Sequence, residues 1–161
     1  MIRSVRGDDA KDICVIYNHY VKETVITFEE MPVAIKEMAA RIGTISAKYP
    51  WLVWEDEILG VTAYAYANTW RDRYAYRYAA ELSLYVKNGL EGKGLGSRLM
   101  TALIETMRKK GFHTLVSGIT LPNERSTALH EKFGFTKTAQ FNEIGFKQDR
   151  WLDVGYWELV L

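Results

Sequence analysis

A chain of 161 residues, 48% apolar and 25% charged, suffices for one domain with a real hydrophobic core, and that balance excludes a disordered chain. Lys and Arg number 21 against 20 Asp and Glu, so the net charge of +1 lacks the basic excess of proteins that bind nucleic acid or anionic membranes. Cys14 is the only cysteine, which excludes an internal disulfide and a Cys-rich metal site, and the opening MIRSVRGDD has no apolar signal stretch.

Met1 to Arg6 reads as a first short strand. Asp8 and Asp9 then offer an N-cap and a first-turn acid to a helix with Ile13, Ile16, Tyr17 and Tyr20 on one face. A second helix is expected after Pro32, which suits a first helical turn, with Ile35, Met38, Ala39, Ile42 and Ile45 at helical spacing. WLVWE, a tight turn at Asp56-Glu57 and ILGVTAYAYA predict two antiparallel strands. The longest uncharged run, Ile58 to Trp70, is about a dozen residues, too short to cross a bilayer. No membrane partner is expected, and the cytoplasm is the default location. AELSLYV, Ala80 to Val86, is a strand of period two, with Leu82, Leu84 and Val86 on one face and Glu81, Ser83 and Tyr85 on the other. After Gly96 the stripe Leu99, Met100, Leu103, Ile104 and Met107 marks the clearest helix, with Lys109 and Lys110 at its C-terminal end and Gly111 stopping it. HTLVSGITL is the next strand. A short helix, Glu124 to Phe133, follows Asn123 and ends at Gly134, and the remainder reads as two strands around a polar loop. The order implies a mixed α/β or α+β sheet in a single domain spanning 1–161.

The strongest chemical signal is Gly92-Lys93-Gly94-Leu95-Gly96-Ser97, between the strand ending at Val86 and the best-patterned helix. Its glycines let the backbone approach a ligand, and the free N–H groups of the helix start stabilise an anion. Lys93 and Arg98 add cations for the rim, so the whole suits a pyrophosphate. The alternative is a loop whose glycines only end a strand. The Walker pattern fails because Gly94 follows Lys93, and the dinucleotide fingerprint fails on spacing and on position past mid-chain.

Glu91-Gly92-Lys93-Gly94-Leu95-Gly96 resembles motif A of the GNAT acetyltransferases, which holds the pyrophosphate of acetyl-coenzyme A. Glu91 stands where Arg or Gln is usual. Leu121-Pro122-Asn123 through Ser126, Leu129, His130 and Phe133-Gly134-Phe135 resembles motif B, beside the pantetheine arm. Ile16-Tyr17-Asn18, Ile26 to Glu30, Tyr49 to Val53, Trp70-Arg71-Asp72-Arg73, Ala80 to Val86, Gly145-Phe146-Lys147 and Trp151 to Trp157 narrow the likeness to the phosphinothricin and methionine sulfoximine acetyltransferase group, over nearly the whole chain. The resemblance implies a GNAT fold whose fourth and fifth strands splay, acetyl-coenzyme A as cosubstrate without a metal, a small amine acceptor and a homodimer. It implies coenzyme contacts at Leu84, Tyr85, Val86, Gly92, Lys93, Gly94, Leu95, Gly96, Ser97 and Asn123.

By pattern alone Glu81 reads as a solvent-facing strand residue. The resemblance makes it the general base that takes a proton from the acceptor amine, which attacks a thioester only when neutral. His130 reads as a packed or surface residue. The resemblance places it near the departing sulfur, as proton donor or hydrogen-bond partner. Arg71 and Arg73 read either as a solvated loop or as the guanidinium partners of an acidic substrate. The resemblance favours the second, with Glu81 and Ser83 also at the substrate and Lys147 assisting from an undetermined subunit. Cys14, on an apolar helix face, reads as core. The rival functions are acetylation of a protein N-terminus, a polyamine or an antibiotic, and a non-catalytic acyl-coenzyme A sensor.

Overall fold

The structure, a computed structural model, describes all of residues 1–161. In chain order it forms β1 (Ile2–Ser4), α1 (Ala10–Glu23), α2 (Ile35–Ser46), β2 (Trp51–Asp56), β3 (Gly60–Thr69), β4 (Ala79–Val86), α3 (Leu95–Lys109), β5 (Thr114–Leu121), α4 (Glu124–Lys132), β6 (Thr136–Lys147) and β7 (Arg150–Val160). One seven-stranded sheet runs β1-β2-β3-β4-β5-β7-β6. Only β4 and β5 pair in parallel, and they pair only from Ala79–Glu81 to Thr114–Val116. Beyond Glu81 and Val116 the two strands diverge, the splay that the resemblance implied.

The period-two alternation of β3 divides the core. Ala63, Ala65 and Ala67 face α3, where their small side chains admit Leu99, Met100, Leu103 and Met107, all fully buried. Tyr64 faces the other way, into a second cluster with Ile13, Ile16 and Val21 of α1 and Met38 and Ile42 of α2. Burying each of these large side chains contributes about 1.5–3 kcal/mol, so two such layers hold the sheet from both sides. Helices α1 and α2 cover only the β2–β3–β4 half of their face. The β5–β7–β6 half has no helix on that side.

Several local expectations shift. Asp9 does not cap α1 with its side chain. It lies in a 3₁₀ turn, Gly7–Asp9, and its carboxylate is occupied by the Arg6 N–H at 2.7 Å and by the Arg3 guanidinium at 2.7 and 2.8 Å. Pro32 lies outside α2, which begins three residues later at Ile35. The turn after β2 is Glu57–Leu59, because Asp56 accepts from the N–H groups of Ile58 and Leu59; Ile58 is therefore 91% exposed rather than in the strand. The tail has a two-residue turn at Gln148-Asp149, both at positive φ, in place of a polar loop. A 3₁₀ turn at Tyr74–Tyr76 has no counterpart in the sequence pattern.

Candidate active site

The splay opens a cleft of about 560 Å³ between Leu82–Val86 of β4 and Ser117–Thr120 of β5. The glycine turn closes one end and α4 forms a side wall. Gly94 stands at φ 80°, in the left-handed region that favours glycine, and its carbonyl accepts the Arg98 N–H at 3.1 Å to start α3. Gly92, Gly94, Gly96 and Ser97 line the cleft. Lys93 and Leu95 do not. Arg98 lies over the Trp54 ring, 5.3 Å from its centroid, and is not among the cleft-lining residues. The cations at this end are instead Arg125 and Lys132 of α4, which the sequence reading missed; Lys132 Nζ donates to Ser97 Oγ at 3.4 Å. Their spacing of seven places them on one helical face, a signal available in the sequence.

Lys87 N–H donates to the Thr62 carbonyl at 2.8 Å, so by the alternation of an antiparallel ladder Ser83 and Tyr85 turn their backbone groups toward β3. Leu84 and Val86 turn theirs into the cleft. The Val86 carbonyl takes the Tyr20 hydroxyl at 2.6 Å, leaving the Leu84 and Val86 N–H groups facing the opening. Asn123 lines the far wall and caps α4 through Oδ1, which accepts from Ser126 N–H at 3.2 Å.

His130 is buried on α4 and lines the same cleft. Its Nδ1 is 2.7 Å from the Ser126 carbonyl, which accepts only, so Nδ1 carries the proton and donates. Burial pushes its pKa down, with the Ser126 carbonyl opposing. In the neutral ring Nε2 is then an acceptor.

Glu81, at the last paired position before the splay, lies on the opposite face from Leu82. Burial raises its pKa, with the positive charge of Arg71 opposing. A second cavity of about 410 Å³ opens on that face, on the half of the sheet without helices, walled by Trp70, Arg71, Tyr76, Val116, Phe141, Tyr156 and Glu158 among others. The Trp70 and Phe141 rings meet Tyr156 edge-on at 5.6 and 5.8 Å, and the Arg71 guanidinium lies 5.0 Å from the Trp70 centroid. Cleft and cavity meet at Gly118. A Cβ there would stand 3.1 Å from Tyr156 Cε1 and 3.5 Å from Glu81 Oε1, so glycine keeps the partition one backbone thick beside the carboxylate.

Arg71 is close enough for its charge to act on Glu81, which itself stands between the two spaces without lining either, while Arg73 is exposed and lines neither space. Ser83 lines the cleft. Lys147 is buried outside both; its Nζ donates to the Thr27 carbonyl at 2.7 Å and ties β6 to the α1–α2 loop, whose Ile26 reaches the cleft. Cys14 is buried against Val33, as core. No group of His, Cys, Asp and Glu is arranged to hold a metal ion. No helix is long and apolar enough to cross a membrane.

A family model described as an acetyltransferase (GNAT) domain matches residues 2–155. The phosphinothricin N-acetyltransferase of Streptomyces viridochromogenes is 37% identical over 158 residues, covering 98% of this chain and 85% of that one. The L-methionine sulfoximine/L-methionine sulfone acetyltransferase of Salmonella typhimurium is 38% identical over 164 residues, covering 99% and 94%. A crystal structure of a GNAT-superfamily phosphinothricin acetyltransferase from Sinorhizobium meliloti, in complex with acetyl-coenzyme A, superposes with a TM-score of 0.96 at 36% identity, over 100% of this chain and 88% of that one.

Proposed function

The chain belongs to the GNAT acetyltransferases, and from that membership we propose that it moves the acetyl group of acetyl-coenzyme A to the amino group of a small amino-acid-like acceptor. One observation carries the reading: the Glu81 carboxylate stands at Gly118, where the splayed cleft and the Arg71-bearing cavity share a wall.

The pyrophosphate rests on the backbone of Gly92–Ser97, with Arg125 and Lys132 supplying the charge that the Glu91 position does not. The pantetheine arm lies along β4, and the N–H groups of Leu84 and Val86 hydrogen-bond it or the oxyanion of the tetrahedral intermediate. The acceptor occupies the second cavity with its carboxylate on Arg71. Glu81 takes a proton from its ammonium, the freed lone pair attacks the thioester carbon, the C–S bond breaks with its electron pair on sulfur, and the excess proton left on nitrogen passes to that thiolate to give the amide and free thiol. His130 does not protonate the sulfur, since its one proton is held by the Ser126 carbonyl; its Nε2 can only accept, from the thiol once formed.

Thiol release from acetyl-coenzyme A with a panel of amino acids, polyamines and peptides tests the reading. Turnover confined to amino acids and their analogues is expected. Turnover on peptides alone, or coenzyme binding without turnover on any amine, would refute it.

We also propose a homodimer in the cytoplasm. Phe141, Ile144, Phe146 and Trp151 stand exposed on the β6–β7 hairpin, an apolar surface that a second copy would cover. Sedimentation of the protein and of Trp151→Lys should give a dimer and a monomer respectively. A wild-type monomer would remove this part.

A further inference from the structure

The relatives by name act on two kinds of acceptor that differ in one respect. Phosphinothricin carries an anionic methylphosphinate at the end of its side chain. Methionine sulfone carries a neutral methylsulfone of the same shape on the same carbon chain. Identities of 37% and 38% do not separate the two for this chain. The charge of the second cavity does.

Ladder register places three residues in one row on the uncovered face: Glu81 pairs with Val116, and Val116 with Glu158. Two strand spacings put the backbones of Glu81 and Glu158 roughly 10 Å apart, about the length of an extended amino acid of this size. Glu158 lines the second cavity, while Glu81 stands just behind it, beside Gly118 and the Tyr156 ring that forms one of its walls. Glu158 forms no ion pair and no side-chain hydrogen bond within the chain: the five ion pairs all lie elsewhere. The only cation among the lining residues is Arg71. The other walls are the aromatic rings already described, with the Thr114 and Thr138 hydroxyls.

An amino-acid acceptor with its ammonium at Glu81 uses Arg71 for its α-carboxylate. No cation then remains for the far end of its side chain, which meets the aromatic walls and the Glu158 carboxylate. Resting on the acetyltransferase reading above, we propose that Glu158 makes this enzyme selective for acceptors with an uncharged side chain, the sulfone class, and against the isosteric anionic phosphinate class. The sulfone oxygens accept a hydrogen bond from Thr114, which donates whatever charge stands nearby; the Thr138 hydroxyl is already given to the Tyr156 carbonyl at 3.3 Å. A phosphinate gains no more from this donor than it loses by facing a carboxylate in a partly enclosed space.

The experiment compares kcat/KM for methionine sulfone and phosphinothricin, with acetyl-coenzyme A saturating. The wild type should prefer the sulfone by about tenfold or more, the scale of one like-charge contact at an effective dielectric of 20 to 40. Glu158→Gln, which keeps shape, should raise kcat/KM for phosphinothricin by a similar factor and change the sulfone value by less than about threefold. Higher ionic strength should narrow the wild-type ratio, a measurement that needs no variant. Equal use of the two acceptors by the wild type, or a ratio untouched by both Glu158→Gln and salt, overturns the assignment of Glu158 and leaves the acetyltransferase reading standing. Turnover of neither acceptor overturns the assignment of Glu158, and the absence of turnover on every amino acid of the panel above overturns the acetyltransferase reading as well.

Discussion

In the mechanism proposed above, the chemistry at the partition between the two spaces turns on one side chain, Glu81. Glu81 is held there with its pKa raised by burial, so it stays protonated to a higher pH than an ordinary carboxylate. As a general base it works only when ionised, so kcat should fall as pH drops through that raised value and level off above it. Glu81→Gln should cost about 100- to 10,000-fold in kcat near neutrality and abolish this acid limb, with activity recovering at high pH as more acceptor is already neutral. A pH–rate profile of the pair checks this; superimposable profiles would return Glu81 to a structural role. Arg71 and Arg73 are distinguished at the same scale. Arg71 lines the cavity proposed for the acceptor and Arg73 does not, so Arg71→Ala should raise KM for amino acids and spare amines lacking a carboxylate, while Arg73→Ala changes little on either. Steady-state kinetics on both substrate types measures the difference, and equal losses for the two variants would refute it.

Elements explain what the sequence could show. The α3 stripe was legible because five apolar residues at helical spacing face one sheet, and the glycine turn because left-handed φ leaves a glycine signature. Gly94→Asp adds a side chain where no atom lies within 4 Å, at a left-handed φ that Asp tolerates better than most residues but at some cost, so the fold should persist with reduced stability while the added carboxylate repels the pyrophosphate. Calorimetry should show acetyl-coenzyme A affinity reduced by tenfold or more, about 1.4 kcal/mol. What was not legible depends on elements meeting across the chain. Asp9 looked like a cap until Arg3 of β1 claimed it, and a local capping rule contains no term for a partner on another strand. Arg125 and Lys132 matter because α4 returns to the turn that opens α3. Glu81 matched a solvent-facing strand residue in pattern; its burial comes from β5 and β7 packing beside it, which no period-two signal encodes.

For the molecule as a whole, one guanidinium joins the edge of the sheet to the rest. Arg3 donates to both oxygens of Asp9 and both of Glu55, linking β1, the turn before α1 and β2. Burial works to raise the Asp9 pKa, but Arg3 and the Arg6 N–H outweigh it, and Arg3 lowers that of Glu55. Carboxylates depressed in the folded state stabilise it above their unfolded values, and that contribution is lost as pH falls through the folded ones. Acid titration of stability should therefore show a loss below the ordinary carboxylate range that Asp9→Asn reduces; a wild-type and variant with parallel acid curves would contradict this. Further in, the fork between β4 and β5 has another meaning for the sheet. It creates two inner edges, each with backbone groups lacking a ladder partner, in the middle of a seven-stranded sheet rather than at its ends. Exposed edges invite any extended chain to add itself. Here the opening is flanked by helices and narrows to a glycine partition, so the guest it admits is slim, polar along its length and charged at one end. The pantetheine arm has that shape, with amides spaced along it as in a peptide. On the placement proposed above, the cosubstrate would fill the fork as a surrogate eighth strand, and the sheet would be continuous only while the enzyme is loaded.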